Sequence, residues 1–130
     1  MALLGFQKWK AEKVESGECR QTIRARRVHP VKVGDVLHHY VGLRRSNCRK
    51  LRGHLVDRCT ETFPVSLSFT GRGEPVWLVR GTPAMKPELE DIARRDGFEC
   101  VLEMSKWFKV YHIDAKPECG GVFVGDVIRW

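Results

Sequence analysis

The chain has 130 residues with 42% hydrophobic content, enough to fill one core and too little for two independent domains. It carries 23 Lys and Arg against 16 Asp and Glu, a formal charge of +7, and has no apolar run near the roughly 18 residues that a membrane span requires. The opening MALLGFQKWKAEK meets charge too early for a secretory leader, so a cytoplasmic protein without a membrane segment is expected.

The positive charge is concentrated in one half. Residues 1–60 contain 14 Lys and Arg against 5 Asp and Glu, whereas residues 61–130 contain 9 against 11. A basic half suits a polyanionic partner such as nucleic acid, although the same charge also serves solubility. The five cysteines (Cys19, Cys48, Cys59, Cys100, Cys119) are odd in number and form no Cys-x-x-Cys pair. They read as free thiols in a reducing compartment, and neither a disulfide framework, a metal site nor a cofactor is expected.

In chain order, Phe6, Trp9, Lys13 and Val14 recur at near-helical spacing and predict a short amphipathic helix from Gly5 to about Ser16, ended by Gly17. Gln21 to Arg27 is too charged for a buried strand and too β-branched for a helix, so an extended surface segment is expected there. A turn at Val31–Asp35 feeds the β-prone run Val36–Val41, read as a central strand. The loop Arg44–Lys50 concentrates four positive charges before a further strand at about Arg52–Thr60.

Strands at Val65–Phe69 and Pro75–Val79 flank Thr70-Gly71-Arg72-Gly73-Glu74, a hairpin loop with two glycines. Pro87 near a helix start, the apolar face Leu89, Ile92 and Ala93, and Gly97 as a stop define a second helix. A third, from about Cys100 to Val110, places Val101, Met104, Trp107 and Phe108 at core spacing, and the tail Val122–Trp130 is a strand that must lie inside a sheet. One helix, several strands, two helices and a closing strand make a single mixed α+β domain over residues 1–130.

Several side chains suit a nucleic-acid partner. Arg24 has the forked guanidinium that grips phosphate at two points; with Arg20, Arg26, Arg27, Arg44, Arg45, Arg49 and Lys50 it can line the rim of a cleft. Gln21 can pair with a base edge, and Trp9 and Tyr40 can stack on bases, whereas Trp77, Trp107 and Trp130 read as core. His38 and His39 point to opposite faces of one strand and cannot chelate one metal.

The segment Gly17-Glu18-Cys19-Arg20-Gln21-Thr22-Ile23-Arg24 resembles the G-x-K-x-x-T-I-R motif of the ASCH domain family. Four further pieces fit that family in order: Val33–Leu37, the loop from Gly42 to Lys50, Ala93 to Phe98, and Val127–Trp130. The resemblance spans nearly the whole chain and implies a PUA-like mixed β-barrel with about three flanking helices, in a small stand-alone bacterial or phage member of the family. It also implies an RNA-linked role. In the branch similar to N4-acetylcytidine amidohydrolases, a Lys, a Thr and a Glu remove an acetyl group; these positions fall on Cys19, Thr22 and Asp96 here.

Cys19 cannot simply replace a lysine. A thiolate beside Arg20 and Arg24 can act as base or nucleophile, whereas a thiol in a small apolar gap is inert packing. Three readings follow. The first is a binding module for single-stranded RNA or a modified nucleoside, favoured by the missing lysine. The second is a hydrolase acting on RNA or on an N4-acylated cytidine, with Thr22 and Asp96 in the active site and Cys19 as a replacement group. The third is a protein-interaction domain whose basic face meets an acidic partner.

Overall fold

A computed structural model describes residues 2–130, and alternation decides how they begin: Ala2, Leu4 and Phe6 are buried while Leu3 faces outward. That period of two forms strand β1 (Ala2–Phe6), which the sequence reading had placed partly in a helix. β1 runs parallel to β3 (Val36–Val41), pairing Leu4 with His39 and Phe6 with Val41. Helix α1 follows at Lys8–Ser16 and ends at Gly17, as expected, with the Gly17 N–H donating to the Val14 carbonyl.

β2 (Gln21–Ala25) corrects a second expectation. Gln21, Thr22 and Ile23 are buried, and the strand pairs antiparallel with the C-terminal β9 (Phe123–Arg129). The segment is extended as expected, but its polar residues lie inside because buried partners satisfy them. The expected strand at Arg52–Thr60 is instead two short ones, β4 (Arg49–Leu51) and β5 (Asp57–Arg58), both antiparallel to β3.

β6 (Glu61–Phe69) and β7 (Pro75–Val79) form the expected hairpin, and β8 (Thr82–Pro83) adds a short edge. Helix α2 spans Lys86–Arg95 with Pro87 in its first turn. It stops where Gly97 takes φ 93°, a conformation that glycine adopts without the steric penalty a Cβ brings. Helix α3 (Val101–Phe108) runs into a π-helical turn at Lys109–Asp114.

The strands make two sheets: a four-stranded one around β3, and a five-stranded one in the order β2-β9-β6-β7-β8. β9 lies between β2 and β6, as its sequence required, and serves two cores because successive residues face opposite sides. Val127 packs with Ile92, Met104 and Phe108 on the α2/α3 side, while Ile128 packs with Leu4, Val14 and Leu37 on the α1 side.

The closed barrel expected from the resemblance does not form. On one side the sheets are tied where the Cys59 N–H donates to Asp35 at 2.9 Å and the Gly34 N–H donates to Cys59 at 2.8 Å. On the other side no ladder joins β1 to β2 among the described residues. There Arg24 and Arg27 reach across and donate to the carbonyls of Gly5 and Leu3. No helix of the described residues is long and apolar enough to cross a membrane.

Candidate nucleotide-binding cleft

A cleft of about 930 Å³ lies beside the gap between β1 and β2, lined by residues of both strands, of α1, of the loop after β3 and of the region from the end of α2 to the π-helical turn. Alternation along β2 sorts its side chains. Gln21 and Ile23 turn toward α2, while Thr22 and Arg24 turn toward β1. The Arg24 guanidinium sits 4.9 Å from the centre of the Phe6 ring, and its Nε donates to Thr22 Oγ1 at 3.0 Å. Burial lowers the Arg24 pKa to about 10, with Asp96 pulling it up and Arg27 pushing it down, so it remains cationic at neutral pH.

Asp96, the residue after α2, is 3% exposed. One of its carboxylate oxygens lies 3.3 Å from Lys10 Nζ, and the other accepts from Gln21 Nε2 at 3.3 Å. Burial pushes its pKa up, while Lys10, the Gln21 hydrogen bond and Arg24 oppose that shift. Lys10 is buried too, 5.5 Å from the centre of the Phe6 ring.

Behind this pair the polar groups form a continuous line. Gln21 Nε2 also donates to the Ile92 carbonyl at 2.9 Å, and Gln21 Oε1 accepts from Arg129 Nε at 2.9 Å. Arg129 then pairs with Glu61 at 2.6 Å. Gln21 thus has both amide atoms engaged and holds the carboxylate in place.

Above the buried polar groups stand aromatic walls from Phe6, Trp9, Phe98 and Trp107, and the exposed cations Lys8, Arg45 and Arg49 edge the opening. The π-helical turn shapes one wall. Trp107 has its ring neighbours at both i+4 and i+5, Tyr111 at 4.9 Å and His112 at 5.4 Å, as the wider turn allows. Burial lowers the pKa of His112, with Lys116 and Arg24 adding to the shift, so the imidazole is neutral at neutral pH. Its Nδ1 has no hydrogen-bond partner among the described residues.

The sequence-predicted residues therefore divide. Thr22, Arg24, Asp96 and Arg45 come together at the cleft, with Gln21 directly behind Asp96. Cys19 does not line the cleft: it is 2% exposed, and its thiol donates to the carbonyls of Gln21 at 3.3 Å and Arg95 at 3.2 Å. Burial raises its pKa against the opposing pull of Lys10, which is the packed-thiol environment.

Arg20, Arg44 and Lys50 are exposed and lie off the cleft lining, as does the half-buried Tyr40. Arg26 is engaged with Asp126 at 3.2 Å. Sequence reasoning missed Lys10, Phe6 and His112, and assigned Trp107 to the core although it is half-buried at the cleft. For Lys10 a signal existed: it stands four residues before Val14, on the buried face of α1. Among the described residues no group of three His, Cys, Asp or Glu side chains is placed to hold a metal. Comparisons with protein-family models, with curated proteins and with solved structures find no match to this chain.

Proposed function

We propose that the cleft binds a nucleobase, either with its phosphate within RNA or as a modified nucleoside, in a PUA-like domain of the ASCH type. The observation that carries this reading is the layered cleft itself. Buried Thr22, Lys10 and Asp96 offer hydrogen-bonding groups at depth, aromatic rings wall them, and exposed Lys8, Arg45 and Arg49 stand where a phosphate would lie. Free thiols throughout suit a reducing, cytoplasmic setting.

The test is titration of the protein with fluorescein-labelled single-stranded RNA at several salt concentrations. Arg45→Glu and Arg49→Glu are expected to weaken binding, and each lost phosphate contact is expected to flatten the salt slope by about 0.7. Affinity independent of both residues and of salt would sink the reading.

A second reading, hydrolysis, is favoured by Lys10. The amine absent from position 19 is supplied from α1, on the carboxylate of Asp96 and in the same cleft as Thr22. Against it, the Thr22 oxygen accepts from Arg24, and among the described residues no carboxylate or imidazole is hydrogen-bonded to it. A threonine nucleophile needs such a base. Mass spectrometry of an RNA carrying one N4-acetylcytidine separates the two readings. Loss of acetyl with wild type and not with Thr22→Ala would establish the hydrolase, whereas RNA retained intact supports binding alone.

A further inference from the structure

The buried side chains of the cleft share one hydrogen-bonding polarity. Both Asp96 oxygens already face a donor, one lying 3.3 Å from Lys10 Nζ and the other accepting from Gln21 Nε2 at 3.3 Å. The Thr22 oxygen accepts from Arg24 Nε at 3.0 Å and has its own proton left to give. Lys10 Nζ meets one partner among the described residues and has donors to spare, and Arg24 Nη1 meets none. The acceptor-bearing side chains of Glu12 and Asn47, which also line the cleft, are exposed.

His112 completes the set, and its surroundings decide which nitrogen carries the proton. The ring is held against Phe108 at 5.1 Å and Phe123 at 5.0 Å, centre to centre, with Nδ1 sealed from solvent and without a partner among the described residues. Buried donors without an acceptor are rarer in folded proteins than buried acceptors without a donor. The neutral imidazole therefore keeps its proton on Nε2, the nitrogen that is not sealed, and His112 lines the cleft as a donor.

Charge agrees with this polarity. Two cations, Lys10 and Arg24, stand with one carboxylate, and the Arg24 charge is felt by both Asp96 and His112. A ligand oxygen of partial negative charge is held in such a place. An amino group pointed into it leaves donors unpaired on both sides, away from the water that would satisfy them.

We infer that the cleft selects a base by its keto oxygen, at position 6 of guanine or position 4 of uracil, where adenine and cytosine carry an amino group. This selectivity rests on the cleft reading above and narrows it to two bases. Guanine fits the donors best, because its O6 and N7 stand side by side and both accept, whereas uracil brings O4 alone.

The experiment is calorimetric titration of the full chain with ribotrinucleotides whose outer residues are abasic, so that the central base alone can enter the cleft. The central residue is guanosine, inosine, uridine, adenosine or cytidine. Inosine and adenosine form the decisive pair, being purines of one shape that differ at position 6 and in the ring proton that goes with it. The inosine and guanosine trinucleotides are expected to bind wild type roughly 5- to 100-fold more tightly than the adenosine one, and uridine more tightly than cytidine. His112→Phe keeps a ring in the aromatic seat and removes one donor; Thr22→Val keeps the shape of the side chain and removes another. Each variant is checked for a cooperative thermal melt and is expected to shrink the inosine-to-adenosine ratio by about fivefold, while the salt dependence set by the exposed cations stays as in wild type. The wild-type comparison decides the matter even where a variant does not fold.

Equal affinity for the inosine and adenosine trinucleotides, tighter binding of adenosine or cytidine, or a ratio untouched by both variants would overturn the keto selectivity and leave the cleft reading standing. Failure of every trinucleotide to bind wild type would overturn both.

Discussion

Replacing Lys10 by Met keeps the length and most of the volume of the side chain and removes only its charge. Lys10 Nζ and the Asp96 carboxylate are 3.3 Å apart and both are buried. At that distance, with the effective dielectric constant of about 20 that suits protein interiors, the attraction is about 5 kcal/mol. The variant need not lose all of it, because Asp96 can escape by taking a proton. Protonating a carboxyl of ordinary pKa 3.8 at pH 7 costs about 4 kcal/mol, which caps the loss. The cap depends on pH, and its sign follows from linkage. A carboxyl whose folded pKa is raised above its unfolded value destabilises the fold increasingly as pH rises above the unfolded value. The deficit of Lys10→Met relative to wild type should therefore be at most about 4 kcal/mol at pH 7 and at most about 2 kcal/mol at pH 5, and below these limits to the extent that the wild-type carboxyl is itself pushed up. Urea unfolding followed by the fluorescence of buried Trp77 and Trp130 across that range measures it. His39 titrates in both proteins and cancels in the difference. A deficit that stays constant between pH 5 and pH 7, or its absence, would show that the two groups do not interact as a charged pair.

Burial holds the His39 pKa down to about 4, against the upward pull of Asp57. The stability contributed by neutral His39 is present above pH 6.5 and is lost as pH falls through about 4; its upper limit is about 3 kcal/mol, or roughly 1–2 after solvent screening. His39→Leu should flatten this acid limb in chemical denaturation, since Asp57 keeps Arg52 at 2.8 Å. Gly125→Ala should lower stability by at least about 1–3 kcal/mol in a thermal melt, because the added Cβ would fall within contact of the Arg24 carbonyl and 2.6 Å from Phe123 Cζ. Iodoacetamide at pH 8 should label exposed Cys48 rapidly and spare Cys19 and Cys59, whose thiols burial pushes up, until denaturant is added; peptide mapping reads the order, and early labelling of Cys19 would contradict its packing.

The elements legible in the sequence are those whose signals are local. α2 carries its own start in Pro87, its apolar face in Ile92 and Ala93, and its stop in Gly97. β3, β7 and β9 are dense β-branched or aromatic runs bounded by turns. The misread elements depend on partners far along the chain. Ala2–Phe6 has no strong strand signature, and its parallel pairing with β3 across the intervening α1 and β2 decides its conformation. The segment Gln21–Arg27 looked too charged for a buried strand; its first residues, Gln21 and Thr22, are buried because Ile92, Asp96, Arg129 and Arg24 satisfy them.

The same physics divides the site. Thr22 and Arg24 were legible because they lie two residues apart on one face of one strand, so a short motif contains their whole relation. The cationic rim was legible only as charge, and folding selects Arg45 and Arg49 while leaving Arg44 and Lys50 off the cleft. Lys10 was overlooked for the opposite reason. A lysine on the buried face of a helix reads as an exception to the pattern, and an aspartate after a helix reads as a solvated end. Each is costly to bury alone and acceptable only beside the other. A charged residue standing where the apolar phase demands a hydrophobic one is therefore the cue to look for a second such misfit elsewhere in the chain. Here the pair is Lys10 and Asp96, and the cleft lies where they meet.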